Sequence, residues 1–359
     1  MQVYLPLVLA FVLSFIFTPI FRRLAFRVGV LDYPDKRKLH GKAMPLLGGA
    51  AVYFAFWLTA GITLLFTGGG AEFWGLFWGS TLIVLLGLYD DIKGLSYKLK
   101  FAGQFAAALV LVAYNIRIEF ITIPFQDLVF LGALVVPLTV IWVVGITNAV
   151  NLIDGVDGLA TGVSAIAALV MFALTLGEVP LVPLQVPLLV LVLAGAALGF
   201  LPHNFSPARI FLGDTGSLFL GFMLAGFSII GVTKQATLTT LIIPVLILGL
   251  PITDTLYAMW RRYRSHRPIF KADNGHIHHR LLNVGLSTRQ TVMVLYLSSI
   301  YFGLAAIAFD RFSGLHIYLI PVIFLLFLLG VRRLNSIRGF FSSPGPSPPY
   351  SDRFNTREK

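Results

Sequence analysis

The sequence predicts an all-α, polytopic membrane protein with about eleven transmembrane helices, its N-terminus outside and its C-terminus in the cytoplasm. Three observations carry that prediction. Hydrophobic residues make up 57% of the 359 and charged residues only 12%, whereas a soluble domain carries roughly a quarter charged residues. Apolar runs near the ~20 residues needed to cross a bilayer recur along the chain. The basic residues between those runs fall almost entirely on one side. The sequence has no cysteine, so neither a disulfide framework nor thiolate chemistry is on offer.

The eleven apolar runs lie at approximately 2–21, 46–66, 73–89, 101–114, 128–146, 159–176, 185–201, 215–232, 238–259, 290–309 and 314–330. The first does not read as a cleaved leader, because Arg22, Arg23 and Arg27 follow its apolar stretch instead of preceding it. No internal repeat or soluble domain interrupts the series. Residues 1–335 therefore read as one integral-membrane domain. Residues 336–359, rich in Pro and Ser from Ser342 onward, read as a disordered cytoplasmic tail.

Charge fixes the orientation. Sorting the loops by side puts 24 of the 27 basic residues on one face, and only Arg117, Lys234 and Arg311 on the other. The rich face is the cytoplasmic one. A net charge of +11 in a soluble chain would point to nucleic acid. Here it points to basic loops held against an anionic leaflet, with no nucleic-acid partner. The acids sort the same way: Asp90, Asp91, Asp154, Asp157, Asp214 and Asp273 fall at the inner mouth, and Asp254 in the inner half of its span. A cation- or proton-coupled transporter would place its carboxylates near mid-membrane, reachable from both faces in turn. Carboxylates gathered at the inner mouth favour a reaction between a cytosolic substrate and a lipid head group.

Five constellations bear chemistry. In LLGLYDDIKG the adjacent Asp90 and Asp91 repel, so one can become a base, or the pair can share a phosphate-bound metal ion; the plainer reading is a solvated helix end. In NAVNLIDGVDGLATG, Asn148, Asn151, Asp154 and Asp157 recur every three residues. They offer a surface for a cation, a sugar or a nucleotide, against a plain polar lining. In RIFLGDTGS, Asp214 lies between Gly213 and Gly216, where bare amides can meet an anion; alternatively Asp214 or Thr215 caps the next helix. In GHIHHR, His276, His279 and Arg280 share a helix face. Zinc is disfavoured because no cysteine assists and Asp273 is the only acid at a usual ligand spacing; imidazoles and an arginine suit phosphates and hydroxyls. Finally, Lys36, Arg37, Lys38, His40 and Lys42 precede Gly48 and Gly49 as inner-face anchors, and Lys98 or Lys100 could neutralise a phosphate beside the Asp pair.

Together, and in this order, the Pro45–Gly49 loop, Asp-Asp, NAVNLIDGVDGL, FLGDTGS and the His-rich loop resemble the polyprenyl-phosphate N-acetylhexosamine-1-phosphate transferases, over about residues 20 to 330. The HIHHR form and the eleven spans look like the branch using UDP-N-acetylglucosamine (UDP-GlcNAc). The resemblance implies a bacterial inner-membrane phosphoglycosyl transferase with its site facing the cytoplasm. It would move GlcNAc 1-phosphate from UDP-GlcNAc to undecaprenyl phosphate, release UMP, and open a cell-envelope glycan pathway such as lipopolysaccharide or teichoic acid synthesis. It implies Asp214 as ligand of Mg²⁺ (or Mn²⁺), Asp90 as base or nucleophile with Asp91 beside it, and His279 in the catalytic set. It also implies that Asn151, Asp154 and Asp157 hold the nucleotide, that Phe211 stacks on uracil, and that Lys100 meets phosphate. His276, His278 and Arg280 would contact the diphosphate or sugar. A homodimer is compatible with this reading. The rival within the family is the phospho-N-acetylmuramoyl-pentapeptide transferase.

Overall fold

A computed structural model describes residues 2–34, 42–122, 128–175, 183–233, 242–265 and 276–311. The expected span at 314–330, the tail, Asp273 and the basic residues Lys36, Arg37, Lys38 and His40 lie outside the described residues. The chain is a bundle of helices: α1 Leu5–Val28, α2 Gly48–Thr67, α3 Ala71–Lys93, α4 Tyr97–Ala113, α5 Val135–Ile153, α6 Leu159–Leu174, α7 Gln185–Asn204, α8 Gly213–Thr233, α9 Ile242–Ile247, α10 Gly249–Arg264, α11 Ile277–Asn283 and α12 Thr288–Arg311. Two short antiparallel hairpins supplement them. One pairs β1 (Leu31–Asp32) with β2 (Met44–Pro45), and the other pairs β3 (Phe120–Thr122) with β4 (Leu128–Phe130). Among the described residues, seven helices are long and apolar enough to cross a membrane, and α6 is a shorter apolar one. The protein is thus a mostly helical, polytopic membrane protein. Phe15, Ile16, Trp74, Trp78, Leu85, Ile141, Leu297 and Leu304 stand exposed on the outside of the bundle, which suits helices that meet lipid.

Helices approach closely where small residues allow it, the usual device between membrane helices. A Cβ on Gly195 or Gly199 of α7 would stand 2.2 Å from the carbonyl oxygens of Leu7 and Phe11 on α1. The most enclosed helix is α8, whose neighbours are α2, α3, α5, α6 and α7. A Cβ on Gly49 of α2 would lie 2.1 Å from Gly216 N, and one on Gly87 of α3 would lie 2.6 Å from Thr215 Cα. Both contacts fall on the first turn of α8. Buried polar pairs add specificity: Gln104 of α4 and Asn148 of α5 exchange amide bonds at 2.5 and 3.3 Å. Asn148 therefore takes the structural reading.

Two expectations are corrected. The span expected at 128–146 is shifted toward the C-terminus. Residues 128–130 join a hairpin, Gly132 takes φ 51, and the helix runs from Val135 to Ile153, carrying Asn148 and Asn151 on it. The span expected at 238–259 is broken at Leu248 into α9 and α10. Pro251 has no N–H to give the Ile247 carbonyl, so the helical ladder is interrupted there. Alternation of the packed helices brings the ends of α3, α5, α7 and α10 and the starts of α2, α4, α6, α8 and α11 to one end of the bundle, where the described motif residues reside.

Candidate active site

The site is built around the N-terminus of α8. Asp90 and Asp91 occupy the last turn of α3, where a helix disfavours acids. Each finds a separate compensation. Asp90 turns back over its own helix end: Oδ1 accepts the Leu95 N–H at 2.5 Å and Oδ2 meets Lys100 Nζ at 2.8 Å. Ser96 caps α4 by accepting the Leu99 N–H, which sets Lys100 in the first turn of α4. Asp91 reaches across to α8. Its Oδ1 accepts the Asp214 N–H at 2.9 Å, and its Oδ2 accepts the Thr215 N–H at 3.0 Å and the Thr215 hydroxyl at 2.6 Å. A carboxylate from another helix therefore caps α8, and the local cap expected from Asp214 or Thr215 is replaced by it.

The Asp214 side chain is consequently free of its own helix terminus. Its Oδ1 accepts from Asn151 Nδ2 at 2.6 Å, and its Oδ2 takes a short bond from the Lys100 ammonium. Asn151 also donates to Ser217 Oγ at 2.8 Å, and Ser217 donates to the Gly213 carbonyl. Asp90, Lys100, Asn151 and Asp214 thus form one bonded network drawn from α3, α4, α5 and α8. The Asp214 side chain retains 30% of its surface exposed, against 12% for Asp90, so a ligand can reach it.

The turn between α5 and α6 forms a second wall. Asp157 Oδ2 accepts the Ala208 N–H at 3.0 Å, tying the turn to the segment that leads into α8. Asp154 stands at the α5 C-cap, and none of the described residues donates a hydrogen bond to its carboxylate. Burial, with the charges of Asp214, Asp91 and Asp157 adding to it, holds the Asp154 carboxyl well above the usual carboxylate range. Gly155 is required here by a close approach: a Cβ would stand 2.5 Å from His278 Nε2. That Nε2 is buried without a partner. Burial, aided by His279 and His276, pushes the His278 ring down to about 3, so it is neutral at working pH. An unmet imidazole nitrogen from α11, packed against the turn that carries an unmet carboxylate, is what a polar ligand would satisfy.

Phe211 is presented by a backbone ladder. Its N–H donates to the Pro45 carbonyl at 2.9 Å, its carbonyl accepts the Gly48 N–H at 3.2 Å, and Leu212 O accepts the Gly49 N–H at 2.9 Å. The Pro45–Gly49 loop is thus a clamp on the strand-like approach to Asp214. In the histidine segment, His276 Nδ1 lies 2.8 Å from Asp254 Oδ2, and the His276 and His278 rings are parallel at 5.7 Å. The His279 ring lies 4.3 Å from that of His278.

The sequence matches the Glycosyl transferase family 4 model over residues 73–232. A Bacillus subtilis (strain 168) protein named "Probable undecaprenyl-phosphate N-acetylglucosaminyl 1-phosphate transferase" is 40% identical, over 91% of this chain and 92% of its own length. The chain belongs to glycosyl transferase family 4. A Thermotoga maritima member named undecaprenyl-phosphate alpha-N-acetylglucosaminyl 1-phosphate transferase is 31% identical over 88% of this chain and 94% of its own. A Staphylococcus aureus (strain JH9) phospho-N-acetylmuramoyl-pentapeptide-transferase is 30% identical over 84% and 95%.

Within this family 4 member the structure gathers most of the site residues read from the sequence. Asp90, Lys100, Asn151 and Asp214 touch directly. Asp91, Asp154, Asp157, His278 and Phe211 frame them. The Arg280 guanidinium donates to Tyr257 Oη of α10 at 3.1 Å and sits 4.6 Å over that ring. The residues that the sequence reading left without a role are Ser217 and Asp254, and Thr215, expected as a cap for α8, is instead bonded by Asp91. Asp254 carried a signal, being the lone acid in an otherwise apolar run.

Proposed function

We propose that the protein transfers GlcNAc 1-phosphate from UDP-GlcNAc to undecaprenyl phosphate. The observation that carries the reading is the Asp90–Lys100–Asp214 network, in a chain 40% identical to the Bacillus subtilis relative. A phosphate oxygen of the lipid attacks the sugar-bearing phosphorus of the donor. The bond from that phosphorus to the bridging oxygen breaks, and UMP leaves with that oxygen. The difficulty is anion attacking anion, so charge must be neutralised and the reactants aligned.

The residues divide that work. Lys100 supplies a fixed positive charge between two carboxylates. Asp90, with Lys100 alongside, is the group at the chemical step, taking up the proton of the lipid phosphate. Asp91 has both oxygens committed to α8 and acts by positioning. Asp154 and His278 offer the unmet polar atoms for the nucleotide sugar, with Phe211 as the surface for uracil. His276 and His279 line the same segment.

A divalent cation fits this donor set. Mg²⁺ is usually held by one or two carboxylates plus substrate phosphates, not by a cage of protein ligands. Among the described residues no cluster of three ligating side chains forms, while Asp90 and Asp214 converge on one ammonium, which marks a place favourable to positive charge. Asp214 would hold the ion. When bound it would neutralise the donor diphosphate.

The same reading puts the motif end in the cytoplasm of a bacterial inner membrane, since 24 of 27 basic residues sort to that side. It takes eleven spans over one domain, with an outer N-terminus and an inner C-terminus. The test is direct: purified protein, undecaprenyl phosphate, Mg²⁺ and UDP-GlcNAc, with the released nucleotide identified. UMP is expected. Release of UDP overturns the reaction, and turnover only with the muramoyl-pentapeptide nucleotide overturns the substrate.

A further inference from the structure

Asp254 is an acid that the reaction described above does not use. It lies on α10 and is 2% exposed, a placement that is costly for a carboxylate unless its oxygens are met. Both are met by one segment. Oδ2 pairs with His276 Nδ1 at 2.8 Å, and Oδ1 accepts the Ile277 N–H at 2.8 Å. His276 is itself buried, at 5% exposure, and stands at the N-cap of α11 without a cap bond from its own side chain. The carboxylate thus performs for α11 what Asp91 performs for α8, capping a helix from across the bundle.

The pairing has a chemical consequence. A carboxylate only accepts, so the hydrogen between the two groups is on Nδ1. That commitment fixes the ring's orientation and leaves Nε2 as the nitrogen for a ligand, the same logic by which carboxylates orient metal-binding and catalytic histidines. From His276 the order continues: its ring is parallel to that of His278, and His278 packs over Gly155 in the turn that carries Asp154. We infer that Asp254 is a positioning residue for the transfer reaction, holding His276 with its proton on Nδ1 so that Nε2 faces the donor diphosphate. A phosphate oxygen also only accepts, so a contact at Nε2 needs a hydrogen there too. The doubly protonated ring then carries a positive charge, and the buried carboxylate is its counter-charge. This inference rests on the reading that the histidine segment meets the nucleotide sugar.

Asp254→Asn is the decisive change. An amide can serve the ring and the Ile277 N–H together only by donating its own N–H to Nδ1, which takes the proton off that nitrogen and leaves no counter-charge for a doubly protonated ring. Steady-state kinetics with UDP-GlcNAc should show kcat/KM lower by about ten- to a hundredfold, as for loss of an outer-shell partner. In a His276→Ala background the same substitution should cost less than a further twofold, because Asp254 acts through that ring. Near-wild-type turnover of Asp254→Asn, or losses that multiply in the double variant, sinks the proposal; multiplying losses would make Asp254 a purely structural tie. If Asp254→Asn does not fold, the wild-type protein answers by ¹⁵N NMR of histidine-labelled material, with the His276 signal assigned by its loss in His276→Gln. A protonated Nδ1 is expected, and an unprotonated one overturns the inference. Failure of the underlying reading shows separately, as absence of UMP release by the wild type.

Discussion

At the scale of single residues, two adjacent carboxylates do different work because their neighbours differ. Asp90 meets a loop amide and an ammonium; Asp91 meets the Asp214 and Thr215 amides and the Thr215 hydroxyl in the first turn of α8. Asp90→Asn should therefore lower kcat by roughly 10²–10⁴-fold, the range for a group acting on a proton at the chemical step, with UDP-GlcNAc binding and thermal stability retained. Asp91→Asn should instead lose stability, by about 1 kcal/mol as for a helix cap, together with activity through a displaced Asp214. Thermal unfolding measured beside kcat for both variants decides it, and a swapped pattern would swap the roles. Asp214→Ala should abolish turnover while leaving the cap at Asp91 in place, because the bonds to Asp91 come from the residue's backbone N–H. His278 makes a pH prediction. Its folded ring titrates at about 3, against ~6.5 for a free histidine. Between those values the unfolded chain binds the extra proton, so stability is full above about pH 6.5 and falls as pH drops, by at most ~1.4 kcal/mol per pH unit. His278→Leu should flatten that acid-side fall in unfolding temperature between pH 6.5 and 4.5. An unchanged slope would mean that the ring takes up its proton while folded.

At the scale of elements, the site depends on how near α2 and α3 come to α8. Gly49→Ala puts a methyl group 2.1 Å from backbone that cannot rotate away, an overpacking expected to cost about 1–3 kcal/mol or more and to disturb Phe211 through the broken ladder. Gly61→Ala on the same helix meets nothing within 4 Å and should be neutral or stabilising by up to ~1 kcal/mol. Equal behaviour of the two in a thermal melt would contradict the packing. This level was the least legible in the sequence. Apolar runs located the helices because lipid demands them, yet they could not show that 128–130 pairs with 120–122 and delays α5, nor that Pro251 breaks the ninth span. The helix lodging Asn151 continues past the apolar run because Asn148 and Asn151 find partners on α4 and α8, and no local pattern encodes a partner on another helix.

At the scale of the whole molecule, the residue types of the site were legible and their division of labour was not. Motif residues are ionisable groups in an apolar chain, so they stand out; the cap from Asp91 to Thr215 spans 124 positions and the Asp254–His276 pair spans 22, distances across which sequence gives no register. Alternation of the bundle explains why five separated motifs converge, since each lies where a helix ends or begins on the same side. The proposed orientation rests on the sorting of charge, and it is testable because the sequence has no cysteine. Single cysteines replacing Lys98, which is exposed beside the site, and Ser351 in the tail should react with a membrane-impermeant maleimide only after the membrane is opened. A cysteine at Gly69, in the connection after α2, should react in intact cells. Lys98 and Gly69 together report which end of the bundle faces the cytoplasm, and Ser351 reports whether the number of spans is odd. Labelling of Lys98→Cys from outside would invert the protein and remove the site from its cytosolic substrate. Labelling of Ser351→Cys from outside, with Lys98→Cys still protected, would keep the site where it is and take one crossing from the count.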